Sequence, residues 1–301
     1  MKNLFKLLDL TKEEIIDILD LAEQLKYERK HNISHKVLDG QKIGMIFEKA
    51  STRTRVSFEV GITELGATAL FLSSADLQIG RGEPIQDTAR VLGRYLDGIM
   101  IRTFKQETVE KLADFAAIPV INGLTDFSHP CQILADLMTV REYKTSFDGL
   151  KLAYVGDGNN ICNSLVVGAL KVGMQVSVAI PTGYEPDERV LEFAKQYDCF
   201  EMTTKPEIAV KNADVIVTDV WTSMGQEAET KAREQAFKGY CLTTELLEAA
   251  NKDYMVLHCL PAHREEEIST QVFEDNAKYI FEEAENRLHA QKAVMVKLFK
   301  K

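Results

Sequence analysis

Positive charge is in short supply in this sequence: 46 Asp and Glu against 36 Lys and Arg leave a formal net charge of -10. Such a balance repels nucleic acid and anionic lipid, which are held through clustered Lys and Arg. Any anionic ligand must therefore be held by a local basic pocket. Cysteine is scarce as well. Cys131, Cys162, Cys199, Cys241 and Cys259 form no C-x-x-C pair and no metal-like spacing, and an odd count cannot complete a disulfide framework. A reducing compartment fits that usage. No apolar run approaches the roughly 20 residues of a membrane span. The opening MKNLFKLLDLTKEE carries acids early and lacks an apolar core with a cleavage site. Low-complexity tracts and internal repeats are absent too. The expectation is a cytoplasmic protein with no nucleic-acid or membrane partner.

What is present is a chain of 301 residues, 45% hydrophobic and 27% charged, long enough for two domains with their own cores. Thr11 and Glu14 form a T-x-x-E capping box before Ile15, Ile18, Leu19, Ala22 and Leu25 at helical spacing. Lys42 to Phe47 reads as a buried strand, followed by a helix from Thr52 to Leu65. Further strands are expected at Thr68 to Leu72, Gly98 to Arg102 and Pro119 to Asn122, with a helix around Glu107 to Ala117. The stretch Ser146 to Lys151, with its Asp148-Gly149 turn signal, marks a junction after which the pattern restarts. Strands are then expected at Lys151 to Val155, Gln175 to Ile180, Asp214 to Asp219 and Met255 to Leu260. Helices are expected at Asn160 to Val172, near Pro186 to Gln196, and from Glu282 to Phe299. This alternation predicts an α/β protein of two domains, each a parallel β-sheet flanked by helices, joined by interdomain helices. The domains are expected at 1–145 and 146–284, with the terminal helix, 285–301, packing back on the first. Ligands of open α/β sheets gather at the strand ends.

Three segments at such ends carry polar chemistry. Ser51-Thr52-Arg53-Thr54-Arg55 opens the helix after the first strand, where free backbone N–H groups, hydroxyls and guanidiniums suit an anion. Arg102-Thr103 ends an apolar strand. Asp126-Phe127-Ser128-His129-Pro130-Cys131-Gln132 is a loop entering the helix Ile133 to Val140. Each alone has an ordinary structural explanation: a helix cap, an ion pair, a structural histidine.

Together, in their order and spacing, they resemble the aspartate and ornithine carbamoyltransferase family, which pairs an S-T-R-T-R loop with an H-P-x-Q loop. Asp219-Val220-Trp221-Thr222-Ser223-Met224-Gly225 and His258-Cys259-Leu260-Pro261 are similar to loops of its ornithine branch. The resemblance runs over nearly the whole chain, including Gln78-Ile79-Gly80, Gly156-Asp157-Gly158-Asn159-Asn160 and Asn286-Arg287-Leu288. It implies transfer of a carbamoyl group from carbamoyl phosphate to the δ-amine of ornithine, giving citrulline and phosphate, without metal or organic cofactor. The same chemistry serves arginine biosynthesis or, in reverse, citrulline breakdown.

By the same resemblance, carbamoyl phosphate is expected at Ser51, Thr52, Arg53, Thr54, Gln78, Arg102, His129, Gln132, Cys259, Leu260 and Arg287. Ornithine is expected at Asn160, Asp219, Ser223 and Met224, with Arg102, His129 and Cys259 as the catalytic residues. Arg102, His129 and Thr54 are expected toward the carbonyl oxygen, and Cys259 beside Asp219 to accept, or favour loss of, the δ-amine proton. Gln78 is expected from a neighbouring subunit of a homotrimer or of an assembly of trimers with shared active sites. The loop from Trp221 to Gly225 is the expected moving part.

Three other readings compete. One is a carbamoyltransferase for putrescine or another amine. Another is a nicotinamide-dependent dehydrogenase, suggested by Val155-Gly156-Asp157-Gly158 after a strand; there Ile161 replaces the third glycine of G-x-G-x-x-G. The last is a non-catalytic anion-binding subunit that kept the fold.

Overall fold

Thr11 begins the first long helix as its spacing predicts. Its hydroxyl accepts the Glu14 N–H at 3.2 Å, and the Glu14 carboxylate accepts the Thr11 N–H at 3.0 Å. The helix α1 (Lys12–Lys30) then buries Ile15, Ile18, Leu19, Ala22 and Leu25. The structure, a computed structural model, describes residues 1–78, 82–223, 225 and 227–300. The chain folds as two compact units, Met1–Ala135 with Arg287–Lys301, and Asp136–Asn286.

In the first unit the chain continues through β1 (Lys42–Phe47), α2 (Thr52–Glu64), β2 (Thr68–Ser73), α3 (Ile85–Leu92), β3 (Gly98–Arg102), α4 (Gln106–Ala116), β4 (Val120–Leu124) and the start of α5 (Pro130–Lys144). The strands form one parallel sheet in the order β2-β1-β3-β4. β1, β3 and β4 are buried along almost their whole length, as continuous apolar runs in a parallel sheet must be. The edge strand β2 keeps partly exposed positions. From β1 the chain winds to β2 on one side and later returns to β3 on the other, so the strand order reverses between β1 and β3. Phe47 pairs with Arg102 there, which starts the loops after both strands at one level.

The second unit repeats the scheme with β5 (Lys151–Val155), α6 (Asn160–Val172), β6 (Gln175–Ala179), α7 (Glu188–Ala194), β7 (Phe200–Thr203), α8 (Pro206–Val210), β8 (Val215–Thr218), α9 (Thr230–Ala236), α10 (Thr244–Leu247), β9 (Met255–His258), α11 (Thr270–Asp275) and α12 (Ala277–Phe299). Its sheet is parallel in the order β7-β6-β5-β8-β9, and the reversal falls between β5 and β8. One face packs Ala153, Val155, Ile216 and Val256 against Trp221, Phe237, Tyr240 and Phe273. Each large apolar side chain buried in this way stabilises the fold by about 1.5–3 kcal/mol. The α/β class and the paired parallel sheets are as the sequence predicts. The chain passes from one unit to the other within α5 and again within α12.

The C-terminal part of α12 completes the first unit. Cβ atoms placed on Gly61 and Gly98 would come within 3.1 Å of Lys292 and 2.4 Å of the Phe299 ring, so the helix seats where two glycines make room. Gln41 donates to the Phe299 carbonyl at 2.8 Å, and the fully buried Lys292 donates to Glu64 at 2.7 Å. Among the described residues, no helix is long and apolar enough to cross a membrane.

Candidate active site

At the reversal point of the first sheet, Ser51 caps α2. Its hydroxyl oxygen accepts the Thr54 N–H at 3.2 Å and its proton goes to Thr54 Oγ1 at 3.1 Å. Thr54 is fully buried and also accepts from Arg287 Nη2 at 2.9 Å, which brings α12 to the start of α2. With two bonds accepted, the Thr54 hydroxyl keeps its own hydrogen for a ligand oxygen. Arg102, 7% exposed, ends β3, where its carbonyl accepts the Glu48 N–H at 2.8 Å. Glu48 in turn accepts from the Thr103 hydroxyl, and buried Lys49 pairs with Asp126.

His129 precedes α5 in a turn fixed by Thr125, whose N–H reaches the Ser128 carbonyl at 2.9 Å and whose hydroxyl accepts the Ser128 N–H at 3.1 Å. Burial pushes its imidazole well below its ordinary value, and the positive charges of Arg287, Arg102 and Arg53 push it further the same way. Guanidiniums from α2, β3 and α12 thus converge on one neutral ring. Together with the helix N-terminus at Ser51 they make a concentrated anion site in an acidic chain. Thr52 lies exposed in the first turn of α2, and Gln132 is buried one turn into α5, its N–H bonded to the His129 carbonyl at 3.2 Å. Gln78 is exposed in the loop after β2, and no described contact ties its side chain to the arginines.

In the second unit the reversal point gathers residues of the opposite charge. Asn159 caps α6: its Oδ1 accepts the N–H groups of Ile161 and Cys162 at 2.9 and 3.1 Å. The other end of that amide donates to Asp219 Oδ2 at 2.8 Å, while the Cys259 thiol donates to Asp219 Oδ1 at 3.1 Å. A carboxylate only 5% exposed is thereby fixed between two donors just beyond β8. Asn160, in the first turn of α6, accepts the Ser164 hydroxyl at its carbonyl. Ser223 is half-buried in the loop after Asp219; Met224 lies outside the described residues, as do Ile79 and Gly80.

Loss of solvation raises the Cys259 thiol well above its usual value, and the carboxylates of Asp219, Glu283 and Asp136 raise it further. Without substrate the Cys259 thiol keeps its proton and donates it to Asp219. Leu260 has φ +58°, a strained value for a side chain of its size. It is held there by its N–H, which donates to His258 Nδ1 at 2.9 Å. That bond makes Nδ1 the acceptor, so the His258 proton sits on Nε2 and is donated to buried Glu267 at 2.9 Å.

Two family models match the chain: residues 2–142 match the aspartate/ornithine carbamoyltransferase carbamoyl-P binding domain, and residues 148–298 match the Asp/Orn binding domain of the same name. The chain belongs to the aspartate/ornithine carbamoyltransferase family. It is 56% identical over 292 residues to the ornithine carbamoyltransferase of Geobacter sulfurreducens, covering 96% of each chain. Its fold is similar to the ornithine carbamoyltransferase of Pyrococcus furiosus, with a TM-score of 0.94 and 50% identity over 99% of this chain and 97% of that one. It is also similar to the anabolic ornithine carbamoyltransferase of Campylobacter jejuni, with a TM-score of 0.93 and 42% identity over 99% of both.

Family membership agrees with the charge of the β5–α6 loop. A dinucleotide fingerprint there would cradle a pyrophosphate, but this carbamoyltransferase places buried Asp157 in the loop and Asp219 near enough to raise it. Asp157, Asn159 and His258 stand inside motifs that give them no role of their own, and Arg233 stands outside every motif. An N-cap signal at Asn159 was available, since Asn directly before an apolar helix is a favoured cap.

Proposed function

We propose that this protein transfers the carbamoyl group of carbamoyl phosphate to the δ-amine of L-ornithine, giving L-citrulline and phosphate. The observation that carries the choice of ornithine is Asp219, a buried carboxylate braced by Asn159 and Cys259. It suits the α-ammonium of a diamino acid, whereas aspartate would bring a further carboxylate toward Asp157 and Asp219. The relatives named as ornithine carbamoyltransferases support the same choice.

In this reading carbamoyl phosphate is held by Ser51, Thr52, Arg53, Thr54, Arg102, His129, Gln132 and Arg287, and ornithine by Asn160, Asp219, Ser223 and Met224. Cys259 and Leu260 lie at the reacting end, and Gln78 comes from a neighbouring subunit of a trimer. The neutral δ-amine attacks the carbonyl carbon. A C–N bond forms, the carbonyl oxygen takes up negative charge, and the tetrahedral intermediate collapses as the C–O bond to phosphate breaks with its electron pair, the proton of the attacking nitrogen leaving on the released phosphate. The Thr54 hydroxyl and the Arg102 guanidinium donate to the developing oxyanion, where preorganised donors act most strongly. His129, held neutral, serves there as a donor and not as an acid. Burial of the reacting groups protects an acyl phosphate that water hydrolyses. The protein works in the cytoplasm.

The deciding experiment is a citrulline assay with ornithine, putrescine and aspartate offered in parallel with carbamoyl phosphate. Turnover with ornithine at least about 100-fold above the other two is expected, which corresponds to roughly 2.7 kcal/mol of discrimination. Equal turnover with putrescine, or product from aspartate, overturns the assignment.

A further inference from the structure

Arg233 is a buried arginine on α9 that the chemistry above does not use. It is 6% exposed, and its guanidinium reaches three segments of the second unit. Nη1 donates to Asp157 Oδ2 at 2.9 Å, in the loop after β5, and to the Trp221 carbonyl at 3.0 Å, two residues beyond Asp219. Nε donates to Glu229 at 3.1 Å, and the guanidinium carbon lies 5.0 Å from the centre of the Tyr184 ring. The same helix holds the loop a second time. Phe237, whose N–H closes on the Arg233 carbonyl at 2.8 Å, stacks on the Trp221 indole with ring centres 5.7 Å apart.

We infer that Arg233 is a positioning residue for the amino-acid substrate: by clamping the Trp221 carbonyl to the Asp157 carboxylate it sets the path of the 219–223 loop and so the placement of Asp219 and Ser223. The chemistry favours arginine. Nη1 alone bridges a carboxylate and a carbonyl from different loops while Nε of the same plane holds Glu229, a spread of fixed directions that the compact ammonium of a lysine cannot cover at once. The electrostatics agree. Asp157 is raised to about 6 by burial, and Arg233 opposes that rise while Asp219 and Glu229 add to it. Removing the guanidinium would leave the negative charges of Asp157 and Asp219 without that cation between their loops and would untie the 219–223 loop from the loop after β5. The inference rests on the ornithine-binding role proposed for Asp219 and Ser223.

The test uses the full chain. Arg233→Gln is expected to raise the KM for ornithine about tenfold or more, the scale of a lost charge-assisted hydrogen bond. The affinity for inorganic phosphate, read by calorimetry and assigned here to residues of the first unit, should stay within twofold. Arg233→Lys is expected to recover only part of the loss. An unchanged ornithine KM in Arg233→Gln, or a fall in kcat alone with both KM values unchanged, overturns the inference. If Arg233→Gln does not fold, Arg233→Lys decides by the same split: a severalfold rise in ornithine KM with phosphate affinity kept supports it, and full activity overturns it. Failure of the wild type to make citrulline would instead overturn the proposed function, which keeps the two failures apart.

Discussion

At the strand reversal of the first unit, three guanidiniums bear on a neutral imidazole; at the reversal of the second, Asp219 lies close enough to Asp157 to raise it, and Arg233 pairs with Asp157. Both places arise from the same construction, a parallel sheet wound in two directions from a central strand. Topology therefore decides where a ligand sits, and the two or three residues beyond each strand decide its charge. In the proposed reading, Arg53, Arg102 and Arg287 make the first place a receptor for an anion, and Asp219 makes the second a receptor for an ammonium.

Substitutions that remove these charges should separate the two places. Arg102→Leu should cost the most, lowering turnover by about 100- to 1,000-fold, as the loss of one oxyanion donor does; steady-state kinetics with both substrates would show it, and near-normal turnover would remove Arg102 from the chemistry. Asp219→Asn should lower kcat/KM for ornithine about 100-fold while leaving the affinity for inorganic phosphate unchanged, because it alters only the second place. A phosphate affinity that fell in step would end the division of labour.

A smaller effect is expected on stability. His129 binds its proton in the folded chain only well below 6.5, the value near which it titrates when unfolded. Within that window the unfolded state holds more protons, so stability is complete above pH 6.5 and is lost as the pH falls. The loss from this group alone reaches up to about 1.4 kcal/mol per pH unit. Urea titrations at pH 6.5 and 5.5 should show a drop in the wild type that exceeds that of His129→Gln by about 1 kcal/mol, below the limiting slope because the unfolded histidine is already half protonated at pH 6.5. Cys259→Ser should do least, changing ornithine kinetics by less than about tenfold because a hydroxyl can still donate to Asp219. A loss of 100-fold or more would give the thiol a part in the proton transfer that a hydroxyl cannot take.

Legibility in the sequence followed burial. Lys42–Phe47, Gly98–Arg102, Lys151–Val155 and Asn160–Val172 lie where the apolar pattern places them, because buried central strands and a buried helix leave continuous hydrophobic runs. β7 went unread: Phe200–Thr203 is a short edge strand with exposed Glu201 and Met202, so no apolar run or clean alternation marks it. The short helices α3, α8 and α9 were missed for a related reason, since a few turns supply too few periods to read. The arginines of the first unit sit inside local motifs and could be named from them. The bracing of Asp219 by Asn159 and of Trp221 by Arg233 joins residues 60 and 12 positions apart, pairings that only the folded sheet creates.

The first unit is built from both ends of the chain, with Thr54 bonded to Arg287, Gly61 facing Lys292 and Gly98 facing Phe299. During synthesis the residues up to Ala135 leave the ribosome long before those partners exist, and all of Asp136–Asn286 is made in between. The nascent N-terminal half must therefore wait with the seat for the last helix open. A stop codon anywhere before Arg287 would leave that seat open for good, and with it the anion site one guanidinium short.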